Sequence, residues 1–581
     1  MTYRGLRLDV PSSWAVHDLE ARPRTCVRFD VPALYLGTPG ADQDCPHRAV
    51  GRSDGLLVAP ATGGEPDRTL AVGAAPAPTG TAPAAGNAPA GPGAASVDTT
   101  PASTASEETT HALAGTGLAV TAAYGESPDV VTAILERVQY TGPERTTPIG
   151  EPADLSATSG PAGSSPEPMF SDPSRTASGG NTPRHLGRGF DTCTAPSLTT
   201  MRAWLASPYR TVGIYIGGVN RACPDGNLSA SWVRSSARLG WQMLPIYVGR
   251  QAPCAFQDDL GPIRPTNVAQ QGAAAAVDAT RRAQRFGLYG GSTIYFDLEA
   301  YDTGNTGCRR TVMQFLHAWT TQLHDSGYLS GVYSSAASGI RDLSDAYGSS
   351  SFARPDAIWT ARWDGRASVW GEPHVPDSQW GTHQRLKQYR GEHNETWGGR
   401  RLNIDSNMVD GPLGSVKYQY AVTSRIGLRA RSGPGTSYPM VGVWAPGATL
   451  DLVCQAIGTE VGTTRVWDKL LNGSYVSDLH VSTASQRGMS PPVPLCRYPY
   501  PVSTSVLRVR SGPGTSYPAV GLIRTGGLAY ITCQQAGSQV GPSAVWNQLD
   551  SGGWVADAYV LTPGRPGYSR PIPRCAAPDP R

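Results

Sequence analysis

The run Ile294-Tyr-Phe-Asp297-Leu-Glu299-Ala-Tyr-Asp302 places two carboxylates two residues apart at the end of an apolar stretch. Alternate residues of a strand share a face, so Asp297 and Glu299 point the same way with Cα atoms about 6.6 Å apart. Neighbouring carboxylates cannot both ionise freely, so one is held protonated while the other stays charged. That division of roles suits cleavage of a glycosidic bond, where one carboxyl protonates the leaving oxygen and another attacks, activates water or stabilises developing positive charge. The spacing falls between the retaining and inverting separations and leaves the stereochemistry open. An acetamido group on the sugar would bypass the choice. Asp191 (Gly189-Phe-Asp191) and Asp405 (Asn403-Ile-Asp405) end two other apolar runs, and Tyr333 ends a third. One acid at a strand end is usually a loop cap; four together argue for an acid/base site. Glu299 is the candidate proton donor, supported by Asp297, Asp191 and Asp405. Trp359, Trp363, Trp370, Trp380 and Trp397 follow nearby, either as core or as platforms for sugar rings.

Elements must bring these residues together. Eight strand-like runs occur between 186 and 414: Arg188 to Thr192, Val212 to Ile216, Met243 to Val248, Thr293 to Leu298, Gly331 to Ser334, Ala357 to Ala361, Lys387 to Tyr389 and Leu402 to Asp405. Helical stretches such as Gln271 to Phe286 and Arg309 to Ser326 separate the early ones. Eight alternating strands and helices predict an α/β fold, a TIM-like (β/α)8 barrel over 185–414, whose active groups gather at the C-terminal strand ends. A doubly wound open sheet is the competitor, and no Gly-rich phosphate loop supports it.

The chain has 581 residues, with 68 Gly and 50 Pro, too long for one domain. Residues 1–142 read as a small N-terminal α+β module whose Ala/Pro-rich insertion, about 60–108, cannot bury enough apolar surface to order itself. A second such linker covers 143–184. Between them Leu118 to Tyr140 reads as a strand, then a helix bearing Val131, Ile134 and Leu135. Past the barrel, Arg431-Ser-Gly-Pro-Gly-Thr-Ser-Tyr-Pro439 recurs at Arg510 to Pro518, and the same 79-residue offset carries Cys454, Trp467 and Cys496 onto Cys533, Trp546 and Cys575. Two copies of one small β barrel follow, 415–497 and 498–576.

Lys+Arg number 49 against 46 Asp+Glu, a net +3 that excludes a general nucleic-acid binder. Residues 416–576 alone carry 14 against 6, which suits an anionic partner. Ten cysteines fall in even numbers per region and lack metal spacing, so disulfides within domains and an extracytoplasmic home are expected. Within the barrel, Cys193 with Cys223 and Cys254 with Cys308 are the plausible pairs, though spacing alone does not fix connectivity. Met1 to Glu20 lacks the pattern of a signal peptide, and no run of 18 apolar residues makes a membrane span. His317 and His324 have no third ligand nearby, and no serine sits in a nucleophile elbow. No metal and no cofactor are expected.

Gly189-Phe-Asp-Thr-Cys-Thr-Ala-Pro196, Ile214-Tyr-Ile-Gly-Gly218, Tyr295-Phe-Asp-Leu-Glu299 and Ile404-Asp-Ser-Asn407 resemble the actinobacterial glycoside-hydrolase-like barrels of unknown function. More distantly they are similar to the family 25 lysozymes. That resemblance implies that Asp191, Asp297, Glu299 and Asp405 line a cleft cutting peptidoglycan between N-acetylmuramic acid and N-acetylglucosamine. It also implies substrate contacts from Tyr333, Trp359, Trp363, Gln388 and Tyr389. The two repeats resemble bacterial SH3 domains, which implies binding to cell-wall peptides or polymers, with Tyr438 and Tyr517 as contacts; passive spacers are the alternative. The expected protein is a wall-associated or secreted muramidase-type hydrolase acting on cell-wall glycan. The alternative is a non-catalytic glycan-binding or scaffolding protein.

Overall fold

The computed structural model describes residues 1–46, 50–61, 68–70, 73–74, 108–125, 128–141, 184–257, 260–381, 383–485, 487–491, 493–524, 527–570 and 572–575. Two compact units result. One comprises Met1–Ser171, Gly218–Gly226 and Gln257–Gly261, the other Asp172–Gly217, Asn227–Phe256 and Pro262–Arg581.

The first unit is built on a six-stranded mixed sheet in the spatial order Ala15–Asp18, Ala33–Leu36, Gly55–Pro60, Leu118–Ala123, Glu108–Leu113, Arg68–Leu70. Alternation in Leu118–Ala123 turns Leu118, Val120 and Ala122 inward to meet Leu34, Leu56 and Val58. The helix Pro128–Glu136 closes that core with Val131 and Ile134. Cys26 and Cys45 form a disulfide here. Most of the expected insertion and all of 142–183 lie outside the described residues, but Arg68–Leu70 and Gly73–Ala74 are strands inside the stretch expected to be unstructured.

The second unit centres on a closed eight-stranded barrel. Its strands are β1 (Arg184–Asp191), β2 (Tyr209–Gly217), β3 (Gln242–Tyr247), β4 (Thr293–Leu298), β5 (Leu329–Ser335), β6 (Ala357–Ala361), β7 (Arg385–Trp397) and β8 (Arg400–Pro412). In β4, Ile294, Phe296 and Leu298 face outward to the helical layer around Val312, Phe315 and Trp319, while Tyr295 faces inward with Leu244, Trp359, Leu386 and Val409. Gly331 makes room inside, since a Cβ there would lie 2.4 Å from the Tyr295 ring.

The expected (β/α)8 architecture is not what forms. Helices intervene only from β1 to β6. Strand β8 runs antiparallel to both β7 and β1. Two local causes account for this. Gly398 and Gly399, with φ of 56° and 76°, make the tight turn that a two-residue hairpin requires, so β7 folds straight back as β8 without a crossover. The connection from β6 to β7 is a loop because the outward residues of β7 are Arg385 and Lys387, both buried. Lys387 Nζ lies 2.7 Å from Glu372 and 2.9 Å from Asp364. Arg385 donates to the carbonyls of Val369 and Gln379, and its guanidinium lies over Trp370. A helix spends its carbonyls internally and could not supply these acceptors.

The two C-terminal repeats also differ from the closed SH3-like barrels expected. Each is a six-stranded antiparallel sheet in the order first, fourth, fifth, sixth, second, third, and the first and third strands remain at opposite edges. In the first repeat, the third strand (Met440–Trp444) pairs only with the second (Leu428–Arg431), so the sheet stays open. The second repeat follows the same pattern with Ala519–Arg524 and Val506–Arg510. Disulfides Cys454–Cys496 and Cys533–Cys575 tie equivalent points. Taken together, the described residues form thirty strands and only six α-helices, a mostly β chain.

Candidate functional site

The interior of the barrel changes character along its axis. Its middle layer is apolar, with Leu244, Tyr295, Leu386 and Val409 packed together; at the C-terminal end of the parallel strands the inward positions become Asp191, Tyr215, Asp297, Tyr333, Trp359, Gln388, Asp405 and Asn407. Asp191 and Asp405 are direct partners in the β1–β8 register, and Asp297 pairs with Tyr333 in the β4–β5 register. Asp191, Asp297, Glu299 and Asp405 are all buried, at most 4% exposed.

Asp191 is held from three sides. Asn407 Nδ2 donates to it at 2.6 Å, Gln388 Nε2 at 3.3 Å and the Tyr215 hydroxyl at 3.3 Å. Each holder is itself oriented. Trp359 Nε1 donates to Asn407 Oδ1 at 2.9 Å, and Gln388 Oε1 accepts from both Tyr333 and Trp363 at 2.9 Å. Those bonds fix which end of each amide faces the acid. Burial lifts the Asp191 carboxyl to about 6, and the bonds from Asn407, Gln388 and Tyr215 pull it partly back. Tyr215 is pushed well above the usual tyrosine range, first by burial, then by the charges of Asp191, Asp297 and Asp405 around its hydroxyl. Gly213 permits this approach, because a Cβ there would lie 2.5 Å from that of Asp191.

The predicted binding residues divide. Tyr333, Trp359 and Gln388 belong to the hydrogen-bonded lining. Trp363 stands at the rim, 53% exposed, with its ring against Gly391. Tyr389 follows Gln388 and takes the other face of β7, on the side of Tyr209. Of the remaining tryptophans, Trp380 is buried and donates to the Pro355 carbonyl, Trp397 donates to Glu395, and Trp370 lies under Arg385. Tyr215 and Asn407 were absent from the sequence-based set. Both stand in runs quoted there, Ile214-Tyr-Ile and Ile404-Asp-Ser-Asn407, and alternation from Gly213 and Asp405 would have placed them inward.

A second polar cluster lies on the outward face of β8, where Ser406 Oγ is 3.1 Å from His393 Nε2. Glu395 contacts the same ring nitrogen at 3.1 Å, while Nδ1 faces the Gly391 carbonyl, so these three do not form a nucleophilic relay. His324 pairs with Asp356, and His317 Nδ1 accepts from the Ala353 amide. Among the described residues, Cys26, Cys45 and Cys223 bring three potential metal-binding atoms together, but all three are disulfide-bonded and offer no thiolate. Cys254–Cys308 is a disulfide as expected, and Cys193 and Cys223 are disulfide-bonded too. No described helix is long and apolar enough to cross a membrane. In the repeats, Tyr438 lies under the Arg570 guanidinium and Tyr517 is exposed.

Residues 202–409 match the family described as the Rv2525c-like, glycoside hydrolase-like domain, so the chain carries a glycoside hydrolase-like domain. The uncharacterized protein YraJ of Bacillus subtilis (strain 168) is 34% identical over 80 residues, 12% of this chain and 68% of YraJ, and over that stretch the two belong to one family. Among solved structures, an uncharacterized B. stearothermophilus protein is 19% identical, covering 38% of this chain and 95% of that one with a TM-score of 0.26. The Tat-secreted protein Rv2525c of Mycobacterium tuberculosis in complex with L-tartrate is 16% identical, covering 39% of this chain and 96% of that one with a TM-score of 0.28.

Proposed function

We propose that the barrel cleaves glycosidic bonds of a cell-wall amino-sugar polymer, peptidoglycan being the first candidate, outside the cytoplasm. The observation that carries this reading is the set of buried acids at one end of a glycoside hydrolase-like barrel. In this reading Glu299 donates a proton to the leaving oxygen. Asp297 stabilises positive charge developing at the anomeric carbon. Asp191 stays ionised near neutral pH, oriented by Asn407, Gln388 and Tyr215, and Asp405 adds negative field from the neighbouring strand β8. Trp363 offers a flat apolar surface to a sugar ring at the rim. The disulfides in both units suit an oxidising compartment, and the basic repeats suit an anionic wall polymer.

Binding without turnover is the second reading, and the depth of the acids favours it, since a scissile oxygen must reach side chains that are almost wholly covered. One experiment separates the two. The full-length chain and its Glu299→Gln variant are incubated with peptidoglycan and with chitin oligomers, and new reducing ends are identified by mass spectrometry. Hydrolysis requires release by the parent chain and its loss in the variant. Retention of both proteins on insoluble wall without any release would establish the binding reading.

A further inference from the structure

Gln251 is fully buried and lies beyond the C-terminal end of β3, on the side of β4 where backbone pairing has stopped. The β3–β4 ladder ends at the pair Tyr247 and Phe296. Past that point come Asp297, the next residue of β4, and Glu299, just beyond its last residue, and there the Gln251 side chain takes over. Its Nε2 donates to the Asp297 carbonyl at 2.8 Å, and its Oε1 accepts from the Glu299 amide at 2.7 Å. A side-chain amide thus stands where the peptide group of a neighbouring strand would be, bonded to the two residues that carry the acids. A third bond, Nε2 to the Gly249 carbonyl at 3.0 Å, fixes the amide orientation.

The segment bearing Gln251 is anchored to the chain that follows Glu299. The Phe256 amide donates to the Ala300 carbonyl at 3.1 Å, and the Asp302 amide to the Cys254 carbonyl at 3.0 Å. Cys254 is cross-linked to Cys308, in the first turn of the helix Thr306–Asp325. The Ile263 amide completes the frame by donating to the Gln251 carbonyl at 2.8 Å. On its far side, β4 keeps its regular ladder to β5.

We infer that Gln251 is a positioning residue for the Asp297–Glu299 pair, held in place by the Cys254–Cys308 cross-link. The inference rests on the hydrolase reading for its catalytic consequence, but not for its structural content. Its structural content is tested by amide hydrogen exchange on the full chain. In Gln251→Leu the Glu299 amide loses its acceptor and should exchange about tenfold faster or more, while Val332 in β5 and Phe315 in the helix keep their protection. Gln251→Glu retains an oxygen acceptor and should keep the Glu299 amide slow. A Cys254→Ser/Cys308→Ser double variant should give an intermediate rate at Glu299.

Where the parent chain releases sugar, Gln251→Leu should lower kcat roughly 10- to 100-fold with KM changed little, because misplacing an acid by a fraction of an ångström weakens the reaction more than binding. Unchanged exchange at Glu299, or a rise spread evenly over the barrel, overturns the inference. So does faster exchange with kcat intact. If the parent chain releases nothing, the hydrolase reading fails and exchange alone decides the role of Gln251.

Discussion

Asp468 and Asn547 occupy the same place in the two repeats, 79 residues apart, and differ in one atom. In the second repeat Gln534 Nε2 donates to Asn547 Oδ1 at 2.7 Å, and Asn547 Nδ2 donates to Asp557 at 3.1 Å. In the first repeat Gln455 Nε2 makes the same bond to Asp468 at 2.8 Å and reaches Asp478 at 3.1 Å, but Asp468 has no N–H to offer Asp478. The first repeat can complete its network only by placing a proton on the Asp468–Asp478 pair. The Asp468 carboxyl is indeed pushed well above the ordinary range, by burial first and by the charge of Asp478 second, and Tyr420 is the other titratable group whose hydroxyl senses the pair. The unfolded chain ionises near 4 whereas the folded repeat keeps the proton, so the folded state binds more protons and stability falls as pH rises above about 4. Asp468→Asn should therefore stabilise the first repeat near pH 8, by about 1–3 kcal/mol, and flatten the decline. Asn547→Asp should create the same decline in the second repeat. Thermal unfolding between pH 4 and 8 reads this directly, and identical slopes in parent and variants would refute the shared proton.

Asp191 titrates the other way round for activity. With its carboxyl at about 6, it carries charge above that pH and loses it below. If the charged form stabilises the reacting sugar, kcat/KM should fall on the acid side with a limb near 6, about tenfold per pH unit. In Asp191→Asn the limb should vanish along with most of the rate. A profile with its acid limb near 4 in the parent chain would assign the ionised role to a different carboxylate.

Asp297 was legible because strand alternation survives in the sequence, whereas Glu299 falls just past Leu298, the last residue of the strand, where alternation no longer fixes a face. The direction of β8 was not legible, since it depends on two glycines at 398 and 399 whose positive φ makes the hairpin, and on Arg385 and Lys387 demanding polar partners where a helix was expected. The repeats announced themselves through their offset. Whether their sheets close depends on pairing between a first and a third strand, which no local pattern encodes. Gln251 escaped for a similar reason. Nothing near it in sequence marks it, and its partners Asp297 and Glu299 lie 46 and 48 residues away.

Gly213 is a barrel position that has no room for a side chain beside Asp191. An added methyl would lie 2.5 Å from Asp191 Cβ and 3.0 Å from Ile246 Cδ1, one a backbone-proximal atom that cannot swing aside. Gly213→Ala should cost about 1–3 kcal/mol of stability through overpacking. It should also push Asp191 off the bonds from Asn407 and Tyr215. Denaturant unfolding measures the first effect, and a displaced acid limb in the pH profile of the folded fraction measures the second.

Trp363 tests whether the rim recognises sugar. Its ring is exposed, yet it is not loose: Nε1 donates to Gln388 Oε1, and one face rests on Gly391, where a Cβ would come within 2.7 Å of the ring atoms. A rigid indole exposed at the rim is suited to stack on a pyranose ring. Trp363→Ala should weaken glycan binding by about 0.5–1.5 kcal/mol, roughly two- to twelvefold in Kd or KM, with little change in kcat. Gly391→Ala should reproduce much of that loss without removing the ring, by tilting it from its seat. Trp363→Phe separates stacking from the hydrogen bond. It keeps an aromatic face but frees Gln388 Oε1 from one of its two donors, so binding should recover while kcat drops as Gln388 loosens on Asp191. If the phenylalanine variant instead loses binding as fully as the alanine variant, the indole acts through Gln388 alone and the sugar lies elsewhere on the rim.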